Sequence, residues 1–206
     1  DALTSSLILA KWGANITVHI VGNDQSSNIF TESIESSGNI VVSSQKIFLD
    51  LLDTIENSTE QYLLLDGLFG TGYQKRTKSI MSQLTRKLNK STGTKDASIQ
   101  VLAIDIPSGM NSDDGSGGED ILKADFTVAI GAIKKGLLTS QGLEKCGKII
   151  VAPIGIPEER FQRSSPEVLE LSKVSKMLSL RPLDGHKGTF GKASIIGGSP
   201  TYIGAP

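Results

Sequence analysis

Asp66 and Asp105 each end an apolar run, Leu63-Leu64-Leu65 before the first and Val101-Leu102-Ala103-Ile104 before the second. A carboxylate delivered by a buried strand can hold a hard cation, exchange a proton or anchor a hydroxyl. Turn residues follow each at once: Gly67-Leu68-Phe69-Gly70-Thr71-Gly72 after Asp66, and Ile106-Pro107-Ser108-Gly109 after Asp105. Gly70, Thr71 and Gly72 can bring backbone N–H groups close to an anion, because glycine accepts unusual dihedrals and has no side chain to block approach. A helix beginning at Thr77 would add its positive end, roughly half a charge. Taken alone, an aspartate so placed also serves as the cap of the next loop or helix, and a Gly-Thr-Gly turn often binds nothing. The pair of carboxylates with both flanking motifs favours a ligand site.

Ser108 invites a nucleophile reading. Of the two histidines, however, His19 falls inside a predicted strand and His186 lies far downstream, so no Ser-His-Asp order is convincing. Ser108 is better suited to offer oxygen to a cation or ligand, and with Asp66 at a neighbouring strand end it could share one hard cation. A transition-metal site is disfavoured, because the sequence has no His/Cys cluster. Lys134 and Lys135, before Gly136, sit where a phosphate or reacting group could be met; a solvated basic turn is the other reading.

Both aspartates reach one edge only if their strands run parallel in one sheet, and the surrounding pattern predicts that. Ala2, Leu3, Leu7, Ile8 and Trp12 follow helical spacing up to a stop at Gly13. Then come a β-branched strand over 16–21, a helix over 26–36 closed by Gly38, and a short strand over 39–42. Ile47, Leu51, Leu52 and Ile55 share one face of the next helix. A strand over 62–66, a helix over 77–90 and a strand over 99–106 continue the rhythm. Strands over 125–130 and 148–152, joined by a short link rich in Gly and Lys, form a last, partly irregular edge. Alternation of this kind predicts the doubly wound α/β class, with a parallel sheet covered on both faces.

Residues 157–183 carry charge, proline and serine with few periodic apolar positions, and read as a linker with one or two short helices. Gly185-His186-Lys187-Gly188 then introduces a new strand over 192–196, ended by Gly197-Gly198-Ser199, as the start of a second domain. The chain opens on Asp1 in what reads as mid-fold and stops just after a new apolar run, so both ends are expected to be cut.

The 206 residues have 38% hydrophobic content and a net charge of −1, the composition of a globular chain long enough for one full core. That charge balance disfavours nucleic acid. No stretch approaches the roughly 20 apolar residues needed to span a bilayer, and no basic-then-apolar leader opens the sequence. Cys146 is the only cysteine, which excludes an intrachain disulfide and suits the reducing cytoplasm. The residues leave the oligomeric state open, a homo-oligomer included.

In order along the chain, Asp66-Gly-Leu-Phe-Gly-Thr-Gly72, Ala103-Ile-Asp-Ile-Pro-Ser-Gly109, Ala124-Asp-Phe-Thr127 and Lys134-Lys-Gly-Leu137 resemble the NAD(P)H-hydrate epimerase family over residues 1–157. The run from His186 to Ser199, continuing to Tyr202 and Gly204-Ala205-Pro206, is similar to the start of the ADP/ATP-dependent NAD(P)H-hydrate dehydratase family, a ribokinase-like fold. Both in this order resemble the bifunctional nicotinamide nucleotide repair enzymes. The resemblance implies an epimerase part over 1–157, a linker over 158–184 and the beginning of a dehydratase part over 185–206. It implies interconversion of the R and S forms of NADHX and NADPHX, followed by nucleotide-dependent dehydration to NAD(P)H.

The family's ligand site matches Gly70, Thr71, Gly72, Tyr73, Gln74, Lys75, Arg76 and Asp105 here, with Asp1 as the last residue of an Asn-Asn-Gly-Gly-Asp loop expected just before this sequence. A further ligand contact falls on Ala205. The family's potassium ion is held by residues matching Asp66 and Ser108, and ADP or ATP would serve the dehydratase part. The expected fold is therefore a Rossmann-like three-layer sheet lacking its first strand, then the first strand of a ribokinase-like domain. Without that central strand, the 206 residues alone are expected to be inactive. Asp105, between Ile104 and Ile106, is the expected acid/base group, with ligand positioning as its other role. The competing class is a non-catalytic binding or dimerisation module of the same fold. A conventional dinucleotide oxidoreductase would need a G-x-G-x-x-G after a strand, which is not visible here.

Overall fold

The opening apolar spacing does form a helix, α1 (Ala2–Lys11). Gly13 follows it with φ +91°, the left-handed stop that glycine adopts without steric cost, and its N–H closes on the Ala10 carbonyl. The computed structural model describes residues 1–19, 42–43, 45–56, 58–69, 78–91, 99–161, 166–178, 180, 182–197 and 199. The chain divides into two compact units, Asp1–Pro157 and Glu158–Pro206.

In the first unit, β1 (Val18–His19) pairs in parallel with β2 (Val42–Ser43). The helix expected over 26–36 lies outside the described residues. After α2 (Gln45–Glu56) come β3 (Tyr62–Asp66), α3 (Lys78–Ser91), β4 (Ile99–Ile104), β5 (Phe126–Ile130), α4 (Ser140–Lys145) and β6 (Lys148–Ala152). Strands β3 to β6 make one all-parallel sheet in the order β3-β4-β5-β6. All four carboxyl ends therefore open on one edge. The link before β6, read from sequence as irregular, holds a 3-10 turn (Lys135–Leu138) and the short α4. Thr139 starts that helix by accepting from the Gly142 N–H through its hydroxyl at 3.0 Å. Six residues are too few for apolar periodicity to reveal a helix.

Phe48, Leu52 and Ile55 of α2 and Leu84 and Leu88 of α3 pack on Ile99, Val101 and Ala103 of β4, all of them buried. A second cluster, Ile106, Met110, Ile121, Ala129, Leu137 and Cys146, fills the space under the loops beyond β4 and β5. Register decides which side chains join the first cluster: Leu64 lies opposite Val101, and Asp66 opposite Ala103. Asp66 is thus on the buried face, and is 2% exposed. Residues of the other parity fare differently, with Gln100 exposed, Leu63 56% and Ile150 44% exposed. Cover on both faces was expected; among the described residues the face of Val101 and Ala103 is the better covered, with Val151 at its β6 edge still 43% exposed.

The second unit contains a 3-10 turn (Glu158–Arg160) and a short helix, α5 (Leu171–Met177), within the segment read as a linker. The strand expected over 192–196 is not formed among the described residues: 191–197 are exposed and carry no regular secondary structure. A strand needs a neighbour to satisfy its N–H and C=O groups, and among the described residues none pairs with this run.

Candidate active site

The two motifs after β3 and β4 are stitched together by Asp66 and Ser108. Asp66 Oδ1 accepts from the Ser108 hydroxyl at 2.6 Å and from Leu68 N–H at 3.3 Å, while Oδ2 accepts from Ser108 N–H at 2.7 Å. The Ser108 hydroxyl oxygen in turn accepts from Phe69 N–H at 3.0 Å. Ser108 is only 1% exposed. Burial pushes the Asp66 carboxyl above its ordinary range, with the Ser108 hydroxyl, the Ser108 N–H and the Leu68 N–H pulling the other way.

Those contacts test whether a cation suits the place. No Lys or Arg among the described residues pairs with Asp66. A buried carboxylate without a countercharge is costly, and this one retains an oxygen lone pair on Oδ2, as Ser108 does on its hydroxyl. Two hard oxygen donors fit an alkali or alkaline-earth ion rather than a thiophilic metal. No group of three or more His, Cys, Asp or Glu suited to a metal occurs among the described residues.

Asp105 does not continue β4. Its φ of +73° is left-handed, the one such non-glycine among the described residues, at a cost of roughly 1–2 kcal/mol for an L residue. In a regular strand its parity would match Ala103 and turn it to the Asp66 face. The left-handed step instead carries it to the end of β5. There Oδ1 accepts from Ile130 N–H at 2.9 Å and from the Lys134 ammonium, which also donates to the Ile130 carbonyl at 2.8 Å. Asp105 N–H donates to the Val128 carbonyl at 2.8 Å. Oδ2 has no partner among the described residues. The two carboxylates thus sit at the same sheet edge in different settings: Asp66 sealed with Ser108, and Asp105 pinned through Oδ1, with no partner on Oδ2 among the described residues.

Sequence reasoning singled out Asp66, Ser108 and Asp105, and the structure brings the first two into direct contact. It read Lys134 only as one of two basic residues in a turn, yet Lys134 engages Asp105 while Lys135 is exposed in the 3-10 turn. Position four after Ile130, one turn beyond a strand end, was the available signal. Gly67 was also missed: a Cβ there would overlap the Ala2 side chain, so glycine lets the start of α1 approach the turn after Asp66. Asp1, exposed and making no side-chain cap, is the residue next to that contact. Gly70, Thr71, Gly72, Tyr73, Gln74, Lys75, Arg76 and Ala205 lie outside the described residues.

A parallel α/β sheet with two differently set carboxylates at its carboxyl edge is consistent with the Rossmann-like class, in which ligands bind at that edge. The family described as YjeF-related protein N-terminus matches residues 1–136, and the chain belongs to it. A bifunctional NAD(P)H-hydrate repair enzyme of Dictyoglomus turgidum is 32% identical over 160 residues, 76% of this chain and 30% of that protein. A protein of the same name from Thermofilum pendens is 28% identical over 208 residues, 100% of this chain and 38% of its own length. An NAD(P)H-hydrate epimerase of Elusimicrobium minutum is 29% identical over 165 residues, covering 79% of this chain and 71% of that protein. The chain therefore spans a third or so of the bifunctional relatives, 30% and 38% in these two cases.

Proposed function

We propose that residues 1–157 form the epimerase part of a nicotinamide-cofactor repair enzyme, interconverting the R and S forms of NADHX and NADPHX. The observation that carries this reading is Asp105, held by Oδ1 in a left-handed turn at the sheet edge, with Oδ2 unpartnered among the described residues. Its support among relatives is the Elusimicrobium minutum epimerase, most of which this chain covers. The reacting carbon bears a hydroxyl and the ring nitrogen. Asp105 Oδ2 accepts the hydroxyl proton as the C–N bond opens to an aldehyde, and returns that proton to the nitrogen. Rotation and the reverse steps re-form the centre with the hydroxyl on the other face, so nothing is consumed.

In this reading Gly70 to Arg76 and Asp1 hold the phosphates and ribose. Asp66 and Ser108 would hold a potassium ion, which supplies countercharge for the buried carboxylate and an anchor for the ligand's oxygens. The β1–β2 pair and the four-stranded sheet belong to one Rossmann-like sheet in a three-layer fold; both being parallel supports this. Residues 185–206, with Ala205, begin a ribokinase-like dehydratase part that uses ADP or ATP. Alignment of the whole chain within the Thermofilum pendens protein supports that order. No helix among the described residues is long and apolar enough to cross a membrane.

The direct test supplies one epimer of NADPHX to the intact protein and follows the other by chromatography, in potassium chloride and in choline chloride. Faster interconversion, greater in potassium, is expected. Binding without acceleration in either salt would make this a binding module and overturn the reading.

The potassium site has its own stability signature. Because the folded-state carboxyl of Asp66 titrates above its unfolded value, its contribution to stability is fully present below the unfolded range, near pH 4, and is lost as pH rises through the raised value. Relative to Asp66→Asn, the wild-type chain is expected to lose urea resistance between pH 4 and neutrality. Potassium at about ten times its dissociation constant should restore about 1.4 kcal/mol at neutral pH to the wild type alone. An equal potassium effect on both proteins would place the ion elsewhere.

A further inference from the structure

Lys134 has no part in the proton path just described, yet its contacts are more specific than a solvated turn requires. Its ammonium donates to Asp105 Oδ1 and, at 2.8 Å, to the carbonyl of Ile130, the residue whose own N–H donates to that same Oδ1 at 2.9 Å. Oδ1 is therefore bridged twice to the end of β5. The carboxylate cannot rotate about its terminal bond without giving up both donors.

The setting separates this pair from the other ion pairs among the described residues. In Arg86–Glu119, Lys87–Asp53, Lys145–Glu144 and Lys173–Glu167 the carboxylate is at least 64% exposed, the condition in which such pairs contribute little. Lys134 and Asp105 are 22% and 18% exposed. A shielded pair costs more to desolvate, and here it is joined to a backbone step that itself carries strain. Stability alone does not account for placing an ion pair on a left-handed aspartate at the ligand edge. Strain of this kind concentrates where geometry serves function.

We propose that Lys134 is a positioning residue for Asp105. By occupying Oδ1 it fixes the direction in which Oδ2 meets the ligand, and its charge keeps the proton-accepting group anchored through the reaction. This role rests on the epimerase reading. It acts through Asp105, so its removal misaligns the proton transfer more than it weakens ligand binding.

The experiment measures kcat and KM for NADPHX epimerisation by the intact protein as wild type, Lys134→Ala and Lys134→Arg, with melting temperatures for each. Lys134→Ala is expected to lose about 10- to 100-fold in kcat with KM changed less than about threefold, because the loss falls on alignment. Added ethylammonium should recover about tenfold of that loss by restoring a cation beside Oδ1, and Lys134→Arg should fall between the two. A kcat for Lys134→Ala within threefold of wild type overturns the proposal, as does a loss that follows melting temperature and that no amine restores. Should the alanine variant not fold, Lys134→Met, which keeps the apolar stem, is read by the same criteria. A wild type that does not epimerise at all removes the functional reading and this role with it; activity retained without Lys134 removes only the role.

Discussion

Asp105→Asn in the intact protein is expected to lower kcat for epimerisation by about 10²- to 10⁴-fold, the range that a positioned acid/base group supplies. The substitution is unusually clean at this position. Asparagine tolerates left-handed backbone as aspartate does, so φ +73° is retained without new strain. Its amide oxygen can still accept from Ile130 N–H and Lys134 at the Oδ1 position, leaving the amide nitrogen where Oδ2 was. That nitrogen cannot accept a proton. At about 1.4 kcal/mol per decade, the loss corresponds to roughly 3–5 kcal/mol of transition-state stabilisation, with KM little changed. Near wild-type kcat in a variant with a wild-type melting temperature would leave Asp105 as a ligand contact without a proton role.

Gly109→Ala should cost the chain about 2–5 kcal/mol of stability, read as a lower urea midpoint at unchanged slope. Two effects add. Gly109 holds φ +89°, which costs an L residue roughly 1–2 kcal/mol. A Cβ there would also overlap the Asp120 carbonyl oxygen and crowd the Ile121 Cα, backbone atoms that cannot move aside as a side chain would. Overpacking of that kind adds about 1–3 kcal/mol. Against a typical total of about 5–15 kcal/mol this is a large share. The same turn fixes Ser108, whose carbonyl accepts from Leu122 N–H at 2.9 Å and whose hydroxyl meets Asp66, so the potassium response of stability should weaken too. A midpoint equal to wild type would show that the Gly118–Asp120 turn yields.

Much of this was legible along the chain. Apolar runs closed by aspartate marked β3 and β4, and glycine marked the end of α1, because buried strands and helix stops each impose a local composition. The pairing of Asp66 with Ser108 was readable as a shared edge, since the parallel class sends both strand ends the same way. Less legible was the strand over 192–196: its residue types suit a strand, but hydrogen-bond partners, not composition, decide whether one forms. The helix α4 was hidden by its length, and Gly67 by the fact that its neighbour, Ala2, is distant in sequence.

The sequence by itself determined which groups stand at the sheet edge, because strand ends and turn residues are set by local preference and periodicity. It also carried the family, through ordered motifs over most of the chain. Only the tertiary structure decided that the two aspartates have different surroundings. Register seals Asp66 on the buried face against Ser108, whereas one left-handed residue turns Asp105 toward β5 and Lys134. Parity along a strand is a local property, but the partner that a side chain meets depends on which strand lies next to it, and that is fixed only when the sheet is assembled.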